Sequence, residues 1–174
     1  MRQQIKQSKS TQMALCLLFI FIFSINAGCV STEDKVFTGK MPTGSMMDTI
    51  MPNATFIFDS RPYEKQLPER FDIIAFKLPD DPSQSQIKRI IGLPGETISI
   101  VGGKVYINDE AMPLNEDYLK EIPYEEDLGP YSIPEGSYFL LGDNRNNSAD
   151  SRFWNNKFVP NEYILGKVTS WENP

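Results

Sequence analysis

The chain has 174 residues, enough for one domain with a modest core. It contains no histidine, which excludes a Ser-His-Asp triad and any histidine-liganded zinc site. Its net charge of −6, with no basic cluster, argues against nucleic acid as a partner.

In chain order, the first element is apolar. Met13 to Ser24 is almost free of polar side chains and follows Arg2, Lys6 and Lys9. The positive flank is expected to stay in the cytoplasm and the rest to be exported. The run is short for a bilayer span, which takes about 20 residues, but extending it to Val30 nearly reaches that length. Three readings stay open for residues 1–30. One is an uncleaved signal anchor. Another is a lipoprotein signal cut before Cys29, since Ala27-Gly28-Cys29 looks like the end of a lipobox. The third is an ordinary cleaved signal peptide. The first two place the remainder on the outer face of the cell membrane. The two cysteines, Cys16 and Cys29, both lie in or beside this segment, so the remainder has no disulfide.

Ser31 to Lys35 reads as a short polar linker, and residues 36–174 as the domain. Short β-rich runs follow: Thr55–Phe58, Asp72–Lys77, Ile87–Ile91, Ser137–Leu141 and Tyr163–Ser170. Thr97–Val101 and Lys104–Ile107, separated by Gly102-Gly103, read as a tight hairpin. Thirteen prolines and the lack of helical periodicity predict a mainly β fold of strands and long loops. Asp109 to Pro134 is acidic and without periodicity, and reads as a solvated surface excursion.

Three blocks carry the chemistry. The first is Pro42-Thr43-Gly44-Ser45-Met46-Met47-Asp48-Thr49. The second is Ile87-Lys88-Arg89-Ile90-Ile91-Gly92-Leu93-Pro94-Gly95-Glu96, and the third runs from Gly142 to Arg152. A serine hydroxyl needs a base to become a nucleophile, and a lysine serves only if burial lowers its pKa by several units. In a strand, Lys88 shares a face with Ile90 and is expected to point inward, with Arg89 toward solvent.

These blocks, in this order behind an apolar N-terminal segment, resemble the type I signal peptidases, in the compact form of Gram-positive bacteria. The resemblance runs from about Thr38 to the end. It implies a signal-peptidase-like β fold and a membrane-attached serine endopeptidase. Its partners would be signal peptides of exported preproteins and membrane lipid, with no nucleic acid, metal or cofactor. By the same resemblance Ser45 is the nucleophile and Lys88 the general base. The Thr43 hydroxyl and the Ser45 N–H form the oxyanion hole, and Met46 shapes the substrate pocket. Ser148 hydrogen-bonds and orients the Lys88 amine. Asp150 positions that region by pairing with Arg152 or Arg145, and Asp143, Asn144 and Arg145 are framework.

Two positions depart from the family pattern. Asp48 stands where the family has proline, which loses a φ restraint and adds an anion expected to oppose a neutral Lys88. Restoring proline is therefore expected to keep or raise activity. Phe71 stands where the family has glycine, a change expected to be harmless. Met46, Met47, Ile50 and Met51 form an apolar cluster expected to be either partial core or a membrane-facing surface.

Overall fold

A computed structural model describes residues 35–174. The readings of residues 1–30, including Cys16 and Cys29, and nearly all of the linker lie outside the described residues. Within 35–174 the fold is mainly β, with ten strands and three short 3-10 turns. No helix among the described residues is long and apolar enough to cross a membrane.

A seven-stranded sheet runs β1 (Val36–Lys40), β2 (Thr55–Asp59), β10 (Ile164–Glu172), β3 (Ile73–Leu78), β4 (Asp81–Gly92), β8 (Ser137–Leu141), β9 (Val159–Pro160). A three-stranded sheet runs β6 (Lys104–Ile107), β5 (Thr97–Val101), β7 (Leu128–Ser132). All pairings are antiparallel. The expected β5–β6 hairpin forms. Gly102 and Gly103 both have positive φ, as a two-residue turn of this twist needs.

β4 is the organising strand. Its β-branched stretch serves three apolar clusters. Ile87 packs with Met46, Ile50 and Ile73, while Ile90 packs with Ile74 and Leu140. Ile91 joins Ile98, Val105 and Phe139. Consecutive residues can both be buried because the register against β8 slips between Ile90 and Gly92, the signature of a bulge. β4 is also longer than its apolar run predicts. Its first half carries polar side chains and is held by β3 on one side only, since pairing with β8 begins at Arg89.

The link between β1 and β2 is the loop 41–54. It is cinched at its base by Met41 N–H to the Ala54 carbonyl (2.9 Å) and Asn53 N–H to the Met41 carbonyl (2.7 Å). Met41, Met46, Ile50 and Ala54 pin it to the core. The methionine cluster thus divides: Met46 and Ile50 are core, while Met47 and Met51 are partly exposed.

The segment 109–134 is not the solvated excursion that its composition predicts. Its end forms β7 against β5, Ile133 is buried, and Leu114, Tyr118, Leu128 and Tyr131 pack on the cluster around Phe139. The acids that dominate its composition hide this, because several are spent on buried arginines, as described below.

Gly92 sits at the bulge, where an added Cβ would lie 2.3 Å from Ile133 Cδ1 and 3.0 Å from Phe139 Cβ. Gly92→Ala is expected to destabilise the domain by about 1–3 kcal/mol through overpacking. Urea unfolding of the variant against the parent measures this.

Candidate active site

The loop 41–54 presents Ser45 beside β4, and the two meet. Lys88 Nζ lies 2.9 Å from Ser45 Oγ, and both residues are buried. The amine also donates to the Ile87 carbonyl (3.2 Å) and to Gln86 Oε1 (3.4 Å). Gln86 is two residues from Lys88 along the strand, so the β period places it on the same face. The sequence reading missed it, although its spacing was the available signal.

Burial lowers the Lys88 pKa to about 8, while the charges of Asp150 and Asp143 pull it back upward. Desolvation disfavours the ammonium, so the neutral amine is accessible near neutral pH.

The third block closes over the pair. Asn144 donates its backbone N–H to the Ser45 carbonyl (3.1 Å) and its side-chain amide to the Gly44 carbonyl (2.9 Å). Gly142 lets the two loops touch: a Cβ there would lie 2.4 Å from the Ser45 carbonyl oxygen and 2.2 Å from Ser148 Oγ. Asp150 is fully buried and accepts two bonds from Arg152 (2.8 and 2.9 Å) and one from Gly142 N–H (3.1 Å). Of the two arginines expected for it, Arg152 is the partner. Arg145 turns the other way, to Glu116 and to the Gly142 carbonyl (3.1 Å).

Several expectations need correction. Arg89 does not point to solvent. Its guanidinium holds Asp143 through two bonds (2.8 and 2.6 Å) and donates to the Phe71 carbonyl (2.9 Å). Thr49 Oγ1 donates to the same Asp143 (2.5 Å), joining the loop 41–54 to the third block. Ser148 Oγ is buried and has no hydrogen-bond partner among the described residues, so the bond expected from it to Lys88 is not made. The amine is already occupied by Ser45, Gln86 and the Ile87 carbonyl. Met46 is fully buried in the core and does not line the cleft, so it shapes a pocket only from behind.

Asp48 is exposed and adopts φ +76, and the charges acting on Lys88 are Asp150 and Asp143 instead. Aspartate tolerates this left-handed conformation; proline, locked near −65°, does not. The rigid turn expected from proline at 48 is therefore not available at this φ. Phe71 also has positive φ, +73, which is why glycine suits the position. Its ring packs edge-on against Tyr118, with centroids 5.8 Å apart, so the change is compensated rather than free of consequence.

The Thr43 hydroxyl lies 3.2 Å from Ser45 Oγ and 3.5 Å from Ser45 N. Both hydroxyls open into a cleft of about 650 Å³ whose apolar wall includes Met41, Phe58, Ala75, Ile87 and Leu165. Its lining also includes the polar half of β4, residues 84–86, whose β8-facing edge is unpaired among the described residues, and the segment 40–44. No cluster of potential metal ligands occurs among the described residues.

The domain is mainly β and brings a serine hydroxyl into contact with a buried lysine amine at a cleft. The family model described as "Signal peptidase, peptidase S26" matches residues 10–171. Signal peptidase I of Leptolyngbya laminosa is 41% identical over 135 residues, covering 74% of this chain and 64% of that protein. A probable signal peptidase I-2 of Synechocystis is 39% identical over 142 residues, covering 77% and 62% respectively. The crystal structure of a signal peptidase I from Enterococcus faecalis is 40% identical, with a TM-score of 0.51 over 60% of this chain and 98% of that one. The chain belongs to the signal peptidase family, peptidase S26. It spans a little under two thirds of the length of the Leptolyngbya and Synechocystis relatives.

Two outcomes test this geometry. Asp48→Pro is expected to lower stability by more than about 1 kcal/mol, whereas Asp48→Gly is neutral or stabilising; thermal unfolding distinguishes them. The Lys88 pKa is depressed, so the unfolded chain holds the proton up to about 10.5 while the folded one releases it at about 8. Stability is therefore expected to rise between those pH values, and the full burial penalty to persist below them. Relative to Lys88→Met, the parent should gain about 3 kcal/mol across that window, measured by urea unfolding at each pH.

Proposed function

We propose that this protein is a membrane-attached serine endopeptidase that removes N-terminal signal peptides from exported preproteins by a Ser45/Lys88 dyad. The observation that carries this reading is the 2.9 Å contact between Lys88 Nζ and Ser45 Oγ, made by a buried amine in a chain without histidine.

In the neutral amine, one lone pair and two N–H bonds must be placed. The Ile87 carbonyl and Gln86 Oε1 accept the two N–H bonds, and the lone pair is left for the Ser45 O–H. Gln86 thereby orients the base, the task expected of Ser148. Ser45 Oγ attacks the scissile carbonyl as its proton passes to Lys88. The oxyanion receives the Ser45 N–H and the Thr43 hydroxyl, which turns from its resting contact with Ser45 Oγ. The ammonium then protonates the leaving amine, and the peptide bond breaks to an acyl-serine. Lys88 next takes a proton from water, whose oxygen attacks the ester; collapse releases the signal peptide and restores the Ser45 hydroxyl.

The substrate is expected to lie as an extended strand between residues 84–86 and 40–44, using the unpaired edge of β4. Small side chains one and three residues before the cut are what the family resemblance implies, and Ala75, Ile87 and Leu165 give the cleft an apolar wall for them. Asp150 and Arg152 hold the third block in place against Gly142 rather than touching substrate. The positive flank and apolar run of residues 2–30 supply the attachment, with a retained span or a lipid on Cys29 as the two forms. Nucleic acid has no part in this reading, and no metal or cofactor enters it.

Cleavage of a model preprotein by the full chain in detergent tests the proposal. Ser45→Ala and Lys88→Met are expected to abolish processing while the domain stays folded; full activity in either sinks the mechanism. For the parent, kcat/KM should rise with pH through an apparent pKa of about 8, because only the neutral amine accepts the serine proton. A flat profile from pH 6 to 9.5 would refute Lys88 as the base.

A further inference from the structure

The acidic segment between β6 and β7 makes more contact with the site than its composition predicts. Glu116, Glu121 and Glu126 stand five residues apart and are half-buried, while their neighbours Asp117, Glu125 and Asp127 are exposed. Each of the three reaches the block 142–152. Glu116 takes both terminal nitrogens of Arg145, with Nη1 at 3.1 Å. Glu121 takes the Asn146 backbone N–H (3.0 Å) and side-chain amide (2.9 Å). Glu126 takes Arg152 Nη1 (2.5 Å). Asn146 answers by accepting the Tyr124 N–H (2.8 Å) and donating to the Ile122 carbonyl (3.0 Å).

A second arm reaches the strand that bears the base. The Arg89 guanidinium sits 4.3 Å from the centre of the Tyr118 ring. The Tyr118 hydroxyl donates to Glu116 (2.6 Å) and accepts from Arg145 Nη2 (3.0 Å). Arg89 is the neighbour of Lys88 on β4 and the partner of Asp143.

Two parallel chains of contact result. One runs Tyr118, Arg89, Asp143; the other runs Glu126, Arg152, Asp150. Each ends on one of the two carboxylates whose charges act on Lys88. Each also passes through an arginine whose far side is held by the segment 116–126.

We propose that residues 116–126 are a brace that sets the placement and dryness of the Lys88 amine against Ser45, with Glu116, Tyr118 and Glu126 as positioning residues. This rests on the Ser45/Lys88 reading above. The physical logic is a matter of sign. A loosened brace leaves Asp143 and Asp150 less well neutralised and admits water to the amine. Both changes favour the ammonium and raise the pKa of Lys88. Removing a carboxylate charge, with the geometry intact, would lower that pKa instead. The direction of the change therefore separates loss of position from loss of charge.

The full chain in detergent is assayed with one preprotein substrate, well below each variant's unfolding midpoint. kcat and KM are measured separately across pH, and the folded fraction is counted from the unfolding baseline. Glu126→Gln and Tyr118→Leu are each expected to lower kcat per folded molecule about tenfold, with KM little changed. The apparent pKa of the basic rise should move up by about half a unit or more. Glu126→Asp should restore part of the rate, and Tyr118→Phe, which keeps the ring under Arg89, should lose less than Tyr118→Leu. If Glu126→Gln does not fold, Glu116→Gln gives the same readout through Tyr118, whose hydroxyl it holds under Arg89. A fall in unfolding temperature with unchanged kcat and pH profile overturns the brace, as does a downward pKa shift. The Ser45→Ala control separates the two readings: residual processing there defeats the dyad itself, whereas its inactivity beside unaffected brace variants defeats only the brace.

Discussion

A lysine amine must be dry to act as a base near neutral pH, yet it must touch a hydroxyl that a substrate can reach. Much of this domain follows from that conflict. Lys88 lies on a strand that contributes to three apolar clusters, so its stem is desolvated by the core itself. Ser45 is brought to it by a loop whose buried methionine and isoleucine are part of the same core. The 2.9 Å contact is therefore held by packing on both sides rather than by the hydrogen bond alone. Burial lowers the amine pKa, and its two N–H acceptors come from the same strand, so the amine is oriented by a short, stiff piece of sheet.

The second theme is the management of buried charge. Asp143 and Asp150 both raise the Lys88 pKa, which works against the neutral amine. Each is met by an arginine in two-bond geometry, which offsets its charge and satisfies its oxygens. Breaking one partner of such a buried pair costs about 3–5 kcal/mol, because the other is left uncompensated. The pairs are thus rigid struts. Thr49 adds a tie from the loop 41–54 to Asp143, and Asn144 adds two from the third block to Gly44 and Ser45. The three sequence blocks, separated by roughly forty to fifty residues each, become one framework through these few polar contacts.

Backbone conformation explains the two departures from the family pattern. Positions 48 and 71 both lie in the left-handed region, where a side chain is tolerated only with help. Asp48 belongs to the residue class that accepts it, and Phe71 is supported by Tyr118. The φ angle was invisible from residue identity, because aspartate is compatible with several turn conformations.

The sequence by itself determined the class of fold, the Gly102-Gly103 hairpin, the strand that carries Lys88 and the nomination of Ser45 with Lys88. The fold class, hairpin and strand follow from local signals, namely alternation of apolar residues and turn glycines, whereas the nomination of Ser45 with Lys88 rests on the resemblance of three motifs, in order, to the type I signal peptidases. Only the tertiary structure decided who partners whom. Arg152 rather than Arg145 holds Asp150, Arg89 turns inward to Asp143, Ser148 is left without a partner among the described residues, and Gln86 stands at the amine. The acids of 109–134 read as solvated because composition records charge but not the distant arginines that meet it. Long-range polar pairing depends on where two loops cross in space, and no periodicity along the chain encodes that crossing.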